Sequence, residues 1–282
     1  MKVLQCNRKM LLMSLQMQSP RKPNQLSQTI CGFLLLMALH QSIAAAPVKV
    51  ALYRGPGTAG KGPPNLMRLL NAGNQFTITE ITPQEIQAGR LTNFHAVIFA
   101  GGGASVQANA LEESGREAVR DFVGHGGGYI GICAGAYLAT SGFSWSLHLI
   151  NARTVSSKWQ RGVGEVKMEL TDPGRKILGQ PAGQFPVLYA NGPIVAPADE
   201  ASLPPYETLA CFRTELAKNG SPVCVMVNSP ALFGAPYRRG RVLCISPHPE
   251  QTDGLEGMVL RAVQWVAPQP QTRKLASPRM TE

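Results

Sequence analysis

Hydrophobic and polar residues follow two alternating patterns between residues 48 and 140. Short apolar runs bounded by Gly or Pro predict strands at Val48–Tyr53, Phe76–Ile81, His95–Ala100 and Gly128–Ile132. Apolar residues at helical spacing between and after these runs predict helices at Pro64–Ala72, Leu111–Val123 and Ala134–Thr140. Strands that are apolar on both faces are typical of parallel sheets covered by helices. The order of the elements therefore predicts an α/β fold built from βαβ units around a mostly parallel sheet.

The pattern changes after Ser141. Shorter apolar runs predict strands separated by long turns, at Gly164–Leu170, Pro186–Ala190, Glu207–Phe212, Pro222–Asn228 and Arg241–Ser246. An amphipathic helix is predicted at Gly257–Val266, and the polar residues 267–282 are predicted to be disordered. With 282 residues, of which 44% are hydrophobic, the composition excludes disorder throughout and allows one sizeable α/β domain or two small ones. The predicted elements place a single domain at residues 47–266.

The first 46 residues have the features of a signal peptide. An apolar centre at Phe33–Leu39 follows a basic region, precedes small residues and is too short to span a bilayer. This pattern predicts cleavage after Ala44 and export to the periplasm or the cell exterior, with no stable membrane insertion once the leader is removed. An uncleaved signal anchor is the alternative.

The net charge of +10 gives little support to a nucleic-acid partner. Five of the 27 basic residues lie in the predicted leader, which contains no acidic residue. The rest of the sequence has no basic run interleaved with aromatic residues. We therefore expect no nucleic-acid partner.

The placement of the cysteines leaves one alternative open. Cys211 and Cys224 flank a polar stretch between two predicted strands, a pattern that fits either a disulfide in an oxidising compartment or two free thiols. No grouping of His, Cys, Asp and Glu in the sequence has the spacing of a metal site. We expect neither a metal nor a cofactor.

Cys133 lies at the predicted joint between a strand and a helix. Gly131, Ala134 and Gly135 are small enough for the sharp, strained turn known as a nucleophile elbow. Backbone N–H groups and the positive end of the following helix favour the thiolate, which is the form that attacks a carbonyl carbon. A buried small hydrophobic residue in a Gly-rich turn is the alternative interpretation.

His248 and Glu250 follow the predicted strand Arg241–Ser246 in the motif SPHPE. A cysteine nucleophile needs a base, and the base needs an acceptor on its other ring nitrogen. Because residues two apart share a face of an extended loop, His248 and Glu250 could supply both functions. A loop histidine with purely structural hydrogen bonds is the alternative.

Three glycines, at 101–103, follow the predicted strand His95–Ala100. If the strands are parallel, this turn lies at the same sheet edge as the predicted elbow. The amide of Gly102 or Gly103, together with that of Ala134, could then form an oxyanion hole. A phosphate-binding loop is the alternative, but the segment lacks the Lys and Ser/Thr of a P-loop and the GxGxxG spacing.

The order of a glycine turn, a G-x-C-x-G segment and a late H-P-E segment resembles the class I glutamine amidotransferase-like superfamily. The segments YRGPGT at residues 53–58, GGYIGICAGAYLA ending at Ala139 and YANGP at residues 189–193 are similar to the biotin-protein ligase N-terminal-like family. The resemblance covers Val48–Val266. It implies a flavodoxin-like, doubly wound α/β fold with a nucleophile elbow.

The same resemblance implies roles for individual residues. It implies Cys133 as the nucleophile, His248 as the base and Glu250 as the residue that orients the base. Tyr189, Asn191 and Gly192 are its candidates to bind substrate. The YANGP segment alone supports these last three candidates.

Together these features lead to one functional hypothesis and two alternatives. We expect an exported, stand-alone cysteine hydrolase that cleaves an amide or γ-glutamyl-like bond in a small molecule or peptide. Only sixteen residues follow Val266, so we expect no biotin-ligase catalytic domain after it. A non-catalytic ligand-binding or sensor domain that keeps the same pocket is the first alternative, and a redox role for Cys133 is the second. The oligomeric state stays open.

Overall fold

The computed structural model describes residues 46–179 and 182–268. This part of the chain contains eleven strands: β1 (Val48–Tyr53), β2 (Phe76–Ile81), β3 (Ala96–Phe99), β4 (Gly128–Ile132), β5 (Ala152–Thr154), β6 (Val163–Leu170), β7 (Gln184–Ala190), β8 (Val195–Pro197), β9 (Glu207–Phe212), β10 (Pro230–Tyr237) and β11 (Gly240–Ile245). It also contains six α-helices: α1 (Gly62–Leu70), α2 (Pro83–Gln87), α3 (Ala104–Gly124), α4 (Ala134–Ala139), α5 (Asp172–Leu178) and α6 (Glu256–Val266). The predicted leader and tail lie outside the described residues, apart from Ala46, Ala267 and Pro268.

Nine of the described strands form one sheet in the order β2-β1-β3-β4-β11-β10-β9-β6-β7. The first five of these pair in parallel, in the 2-1-3-4-5 order of flavodoxin-like folds. The predicted α/β fold is therefore confirmed. In such a sheet ligands bind at the carboxyl ends of the strands, near the point where the strand order reverses, which here lies between β1 and β3.

The other four strands extend the sheet through antiparallel pairs. Strand β10 pairs with β11 and β9, and β6 pairs with β9 and β7. Strands β5 and β8 form a separate antiparallel pair. The change from parallel to antiparallel pairing follows the change in sequence pattern after Ser141.

Helices lie on both faces of the large sheet. Alternate residues of β1 belong to two separate hydrophobic clusters, Val50 and Leu52 to one and Ala51 and Tyr53 to the other. Helices α1, α5 and α6 contribute to the first cluster, and α2, α3 and α4 contribute to the second. No helix in the described ranges is long and apolar enough to cross a membrane.

The structure corrects the predicted strand at Pro222–Asn228. This segment forms turns, and Cys224 and Asn228 both have positive φ, which a strand does not allow. The strand that pairs in the sheet is β10, whose two prolines and one glycine hide the strand pattern. Cys211 and Cys224 are both free thiols.

Candidate active site

Cys133 connects β4 to α4 in a strained backbone conformation, with φ of 51° and ψ of −100°. A positive φ is costly for a residue with a Cβ atom, and such strain is concentrated at functional sites. A Cβ atom on Gly131 would overlap the backbone of Gly135, and one on Gly135 would overlap the backbone of Phe99. The turn therefore requires glycine at both positions, which is the physical reason for the G-x-C-x-G spacing.

His248 lies beyond the carboxyl end of β11 and is held from several sides. Its Nδ1 donates a hydrogen bond to Oε1 of Glu250 at 2.8 Å, and the two side chains are only 5% and 0% exposed. Its backbone N–H donates to the carbonyl oxygen of Leu188 at 2.8 Å, and its carbonyl accepts from the hydroxyl of Thr252 at 2.8 Å. With Nδ1 engaged by the carboxylate, Nε2 is the nitrogen that remains for chemistry.

Cys133 and His248 meet at the glycine turn. A Cβ atom on Gly101 would lie 3.0 Å from Cε1 of His248 and 3.9 Å from Cβ of Cys133. Burial lowers the pKa of His248, but hydrogen bonds to the side chains of Cys133 and Glu250, with the electrostatic attraction of both, raise it to about 10. These interactions favour the charged form of the imidazole. Sγ of Cys133 also lies 3.3 Å from the carbonyl oxygen of Ala190.

The carboxylate of Glu250 lies against the first turn of α1. A Cβ atom on Gly62 would lie only 2.9 Å from Oε1 of Glu250, so glycine at this position makes room for the carboxylate. The side chain of Asn65 donates to the carbonyl oxygen of Glu250 at 3.0 Å, and Nε2 of Gln251 donates to its Oε1 at 3.1 Å. The positive end of a helix favours a negative charge there. Sequence analysis missed Gly62, because nothing in its Gly/Pro-rich loop indicates what it contacts.

The glycine turn offers fewer free amides than expected. The N–H of Gly103 donates to the carbonyl oxygen of Gly57 at 2.9 Å, which leaves it unavailable to a substrate oxygen. Within residues 46–179 and 182–268, no acceptor pairs with the N–H of Gly102 or Ala134. Both residues line the same cavity as Cys133. The amides of Gly102 and Ala134 are therefore the pair to consider for an oxyanion.

Only one of the three residues expected to bind substrate lies in the cavity wall. Asn191 lines the cavity, and its Oδ1 accepts from the N–H of Gly162 at 2.7 Å. Tyr189 is buried, and its hydroxyl donates to the carbonyl oxygen of Gly192 at 2.7 Å. A Cβ atom on Gly192 would overlap the backbone of Ser246. Tyr189 and Gly192 thus shape the turn that presents Asn191.

The cavity beside Cys133 has a volume of about 540 Å³. Besides the glycine turn, Cys133 and His248, it is lined by aromatic residues that sequence analysis did not single out: Tyr137, Phe143, Trp145 and Trp159. In the described part of the chain, no group of three or more His, Cys, Asp or Glu residues could hold a metal ion.

Comparison with known proteins supports the fold and part of the resemblance. Residues 48–158 match the family model for the N-terminal domain of biotin-protein ligase. The matched range contains Cys133 and the glycine turn, whereas His248 and Glu250 lie outside it. No curated protein sequence matches the chain.

Several solved structures share the fold. A ThuA-like protein from Bacteroides uniformis is 18% identical, with a TM-score of 0.53 over 79% of this chain and 93% of its own. Two cytoplasmic proteins from Salmonella typhimurium are 13% and 15% identical, with TM-scores of 0.54 and 0.52 over 79% and 78% of this chain and 100% of theirs. At these identities the likeness shows the fold alone, which is that of ThuA-like proteins.

Proposed function

We propose that this chain is a cysteine hydrolase of the class I glutamine amidotransferase-like superfamily that cleaves an amide bond in a small molecule or peptide. The observation that supports this most is the arrangement of Cys133 at a strained elbow, beside a histidine whose other nitrogen donates to the buried carboxylate of Glu250. A nucleophile, a base and an orienting acceptor are the three parts that covalent acyl transfer needs.

In the proposed reaction, the thiolate of Cys133 attacks the amide carbon and a carbon–sulfur bond forms. The carbonyl oxygen becomes an oxyanion, which the N–H groups of Gly102 and Ala134 stabilise. The charged His248 donates its Nε2 proton to the leaving amine as the carbon–nitrogen bond breaks. His248 then takes a proton from water, the hydroxide attacks the thioester, and the acid and the thiolate are released.

The test is hydrolysis of a panel of amides by the wild-type protein and three variants. Cys133→Ala and His248→Ala are expected to lose turnover by about 10³-fold or more while they remain folded. Cys224→Ala, which removes an exposed free thiol elsewhere, is the matched control and should keep full activity. Turnover that persists in Cys133→Ala would overturn the proposal.

One observation favours the non-catalytic alternative. The 3.3 Å contact from Sγ of Cys133 to the carbonyl oxygen of Ala190 suits a neutral thiol, which can donate a hydrogen bond where a thiolate cannot. Site-resolved alkylation at pH 7 separates the two functions. A hydrolase predicts that Cys133 reacts faster than Cys224 and slows in His248→Ala, whereas a binding domain predicts neither.

We also propose that the protein is exported, because residues 1–46 have the pattern of a signal peptide. Expression of the full chain followed by cell fractionation tests this. Recovery of a shortened chain in the periplasm or medium supports export, and full-length chain in the cytoplasm contradicts it.

A further inference from the structure

Four aromatic side chains share the cavity with Cys133. Phe143 and Trp145 stack with their ring centroids 4.6 Å apart and their planes 11° from parallel. Trp159 lines the same cavity and is 51% exposed. A large aromatic side chain left open to solvent at a pocket gains free energy when a ligand covers it. The wall is therefore suited to hold a flat apolar group.

The stacked pair is fixed in place before any ligand arrives. The carbonyl oxygen of Phe143 accepts hydrogen bonds from the hydroxyl of Ser146 at 2.7 Å and from Nε2 of His148 at 3.1 Å. The N–H of Leu147 donates to the carbonyl oxygen of Leu138 in α4 at 2.7 Å, which ties the segment to the helix that follows the nucleophile. A preformed wall saves the ligand the entropic cost of ordering it.

Apart from Cys133 and His248, the described residues that line the cavity offer no charge to a ligand. Among its lining residues in the described ranges, only Cys133, His248 and Tyr137 are ionisable, and burial raises the pKa of the Tyr137 hydroxyl so that it stays neutral. The buried guanidinium of Arg161, two residues after Trp159, forms an ion pair with Glu215, in which Nη2 lies 2.6 Å from Oε1. A carboxylate or ammonium group that lies on the aromatic wall, away from Cys133 and His248, would lose its water without gaining a charged partner, which is costly.

We infer that the substrate of this site is an uncharged amide that carries an aromatic group, with the ring on the wall formed by Phe143, Trp145 and Trp159. This inference rests on the proposed function for the position of the amide, which lies at Cys133. It narrows the substrate class by excluding free γ-glutamyl compounds. With their amide at Cys133, their α-carboxylate and α-ammonium groups would lie against the wall, which offers no charged partner. The volume of about 540 Å³ suits a small molecule or the side chain of a peptide.

The test uses three amides that differ in one group, with dissociation constants from ligand-observed NMR titration of the full chain. Phenylacetamide carries the ring, propionamide lacks it, and glutamine adds the charges. We expect phenylacetamide to bind at least about tenfold more tightly than propionamide, because the phenyl group is buried on the wall. Glutamine should bind more weakly than either. Tighter binding of glutamine than of phenylacetamide would overturn the inference.

Variants of the wall assign the binding to it. Trp159→Ala should weaken phenylacetamide binding about fivefold or more, and Trp159→Phe should restore most of it. Val163→Ala, at a residue 59% exposed and outside the lining, is the matched control and should change nothing. Unchanged binding in Trp159→Ala contradicts the inference.

The experiments give different results if the proposed ligand class is wrong and if the proposed hydrolase activity is wrong. The titrations repeated in Cys133→Ala need no turnover, so the expected order of affinities without any hydrolysis by the wild type supports the ligand class and contradicts the proposed function. Hydrolysis that prefers γ-glutamyl amides over aromatic ones has the opposite meaning. It supports the hydrolase and overturns the ligand class.

Discussion

Replacing Glu250 by Gln tests whether the carboxylate keeps His248 charged. Gln has nearly the same shape, and its Oε1 can still accept from Nδ1, so the change removes charge and keeps the hydrogen bond. The two side chains are buried with their atoms 2.8 Å apart. At an effective dielectric of about 20, unit charges about 4 Å apart interact by about 4 kcal/mol, which corresponds to about three pKa units. The pKa of His248, raised to about 10 in the wild type by Cys133 and Glu250 together, should therefore fall in Glu250→Gln.

The assay is an NMR titration of the histidine rings, with the signal of His248 assigned by its loss in His248→Ala. The rate of Cys133 alkylation at pH 7 should fall in Glu250→Gln, since a smaller fraction of the His248 imidazole is then charged. Glu117→Gln removes an exposed carboxylate of α3 and is the control, with no expected effect on either measurement. A shift of less than about one unit in Glu250→Gln would refute the reasoning, because the charge on His248 would then not depend on Glu250.

The remaining predictions concern stability and two glycines. Because the pKa of His248 is raised from 6.5 to about 10, the folded state holds an extra proton between these two pH values. The free energy of unfolding should therefore be highest below pH 6.5 and fall as the pH rises towards 10. Chemical denaturation that shows the free energy of unfolding rising over this range would contradict the prediction. Gly62→Ala places a methyl group 2.9 Å from Oε1 of Glu250 and should slow the alkylation of Cys133 with the fold intact, so an unchanged rate would argue against this effect. In Gly135→Ala the new methyl group overlaps the backbone of β3, so the free energy of unfolding measured in urea should fall by about 2–4 kcal/mol. In the control Gly257→Ala the methyl group meets nothing within 4 Å, and the free energy of unfolding should fall by less than about 1 kcal/mol. Equal decreases in the two variants would be inconsistent with tight packing around Gly135.

The parallel half of the fold could be predicted from the sequence because strands that are buried on both faces consist of continuous apolar runs. Strand β1 was predicted with the bounds that the structure has, and the strand before Cys133 likewise. The antiparallel half was less predictable. Strand β10 contains prolines and a glycine that packs against Trp265, so its side chains follow tertiary contacts and not local propensity. The strand predicted at Pro222–Asn228 is wrong because an apolar residue can also be buried in a turn, as Met226 is here.

The candidate site also has a part that the sequence predicts and a part that it does not. Cys133 and His248 stand at the carboxyl ends of adjacent parallel strands, so the sheet topology brings them together whatever the loops do. The aromatic wall depends on loop backbone instead, and neither period nor spacing indicates that Phe143 and Trp159 face one cavity. The candidate reactive groups and the aromatic wall therefore depend on different kinds of structure in this protein. Substitutions that change the ligand should accordingly fall in residues 141–162, where they leave the elbow and the His248–Glu250 pair undisturbed.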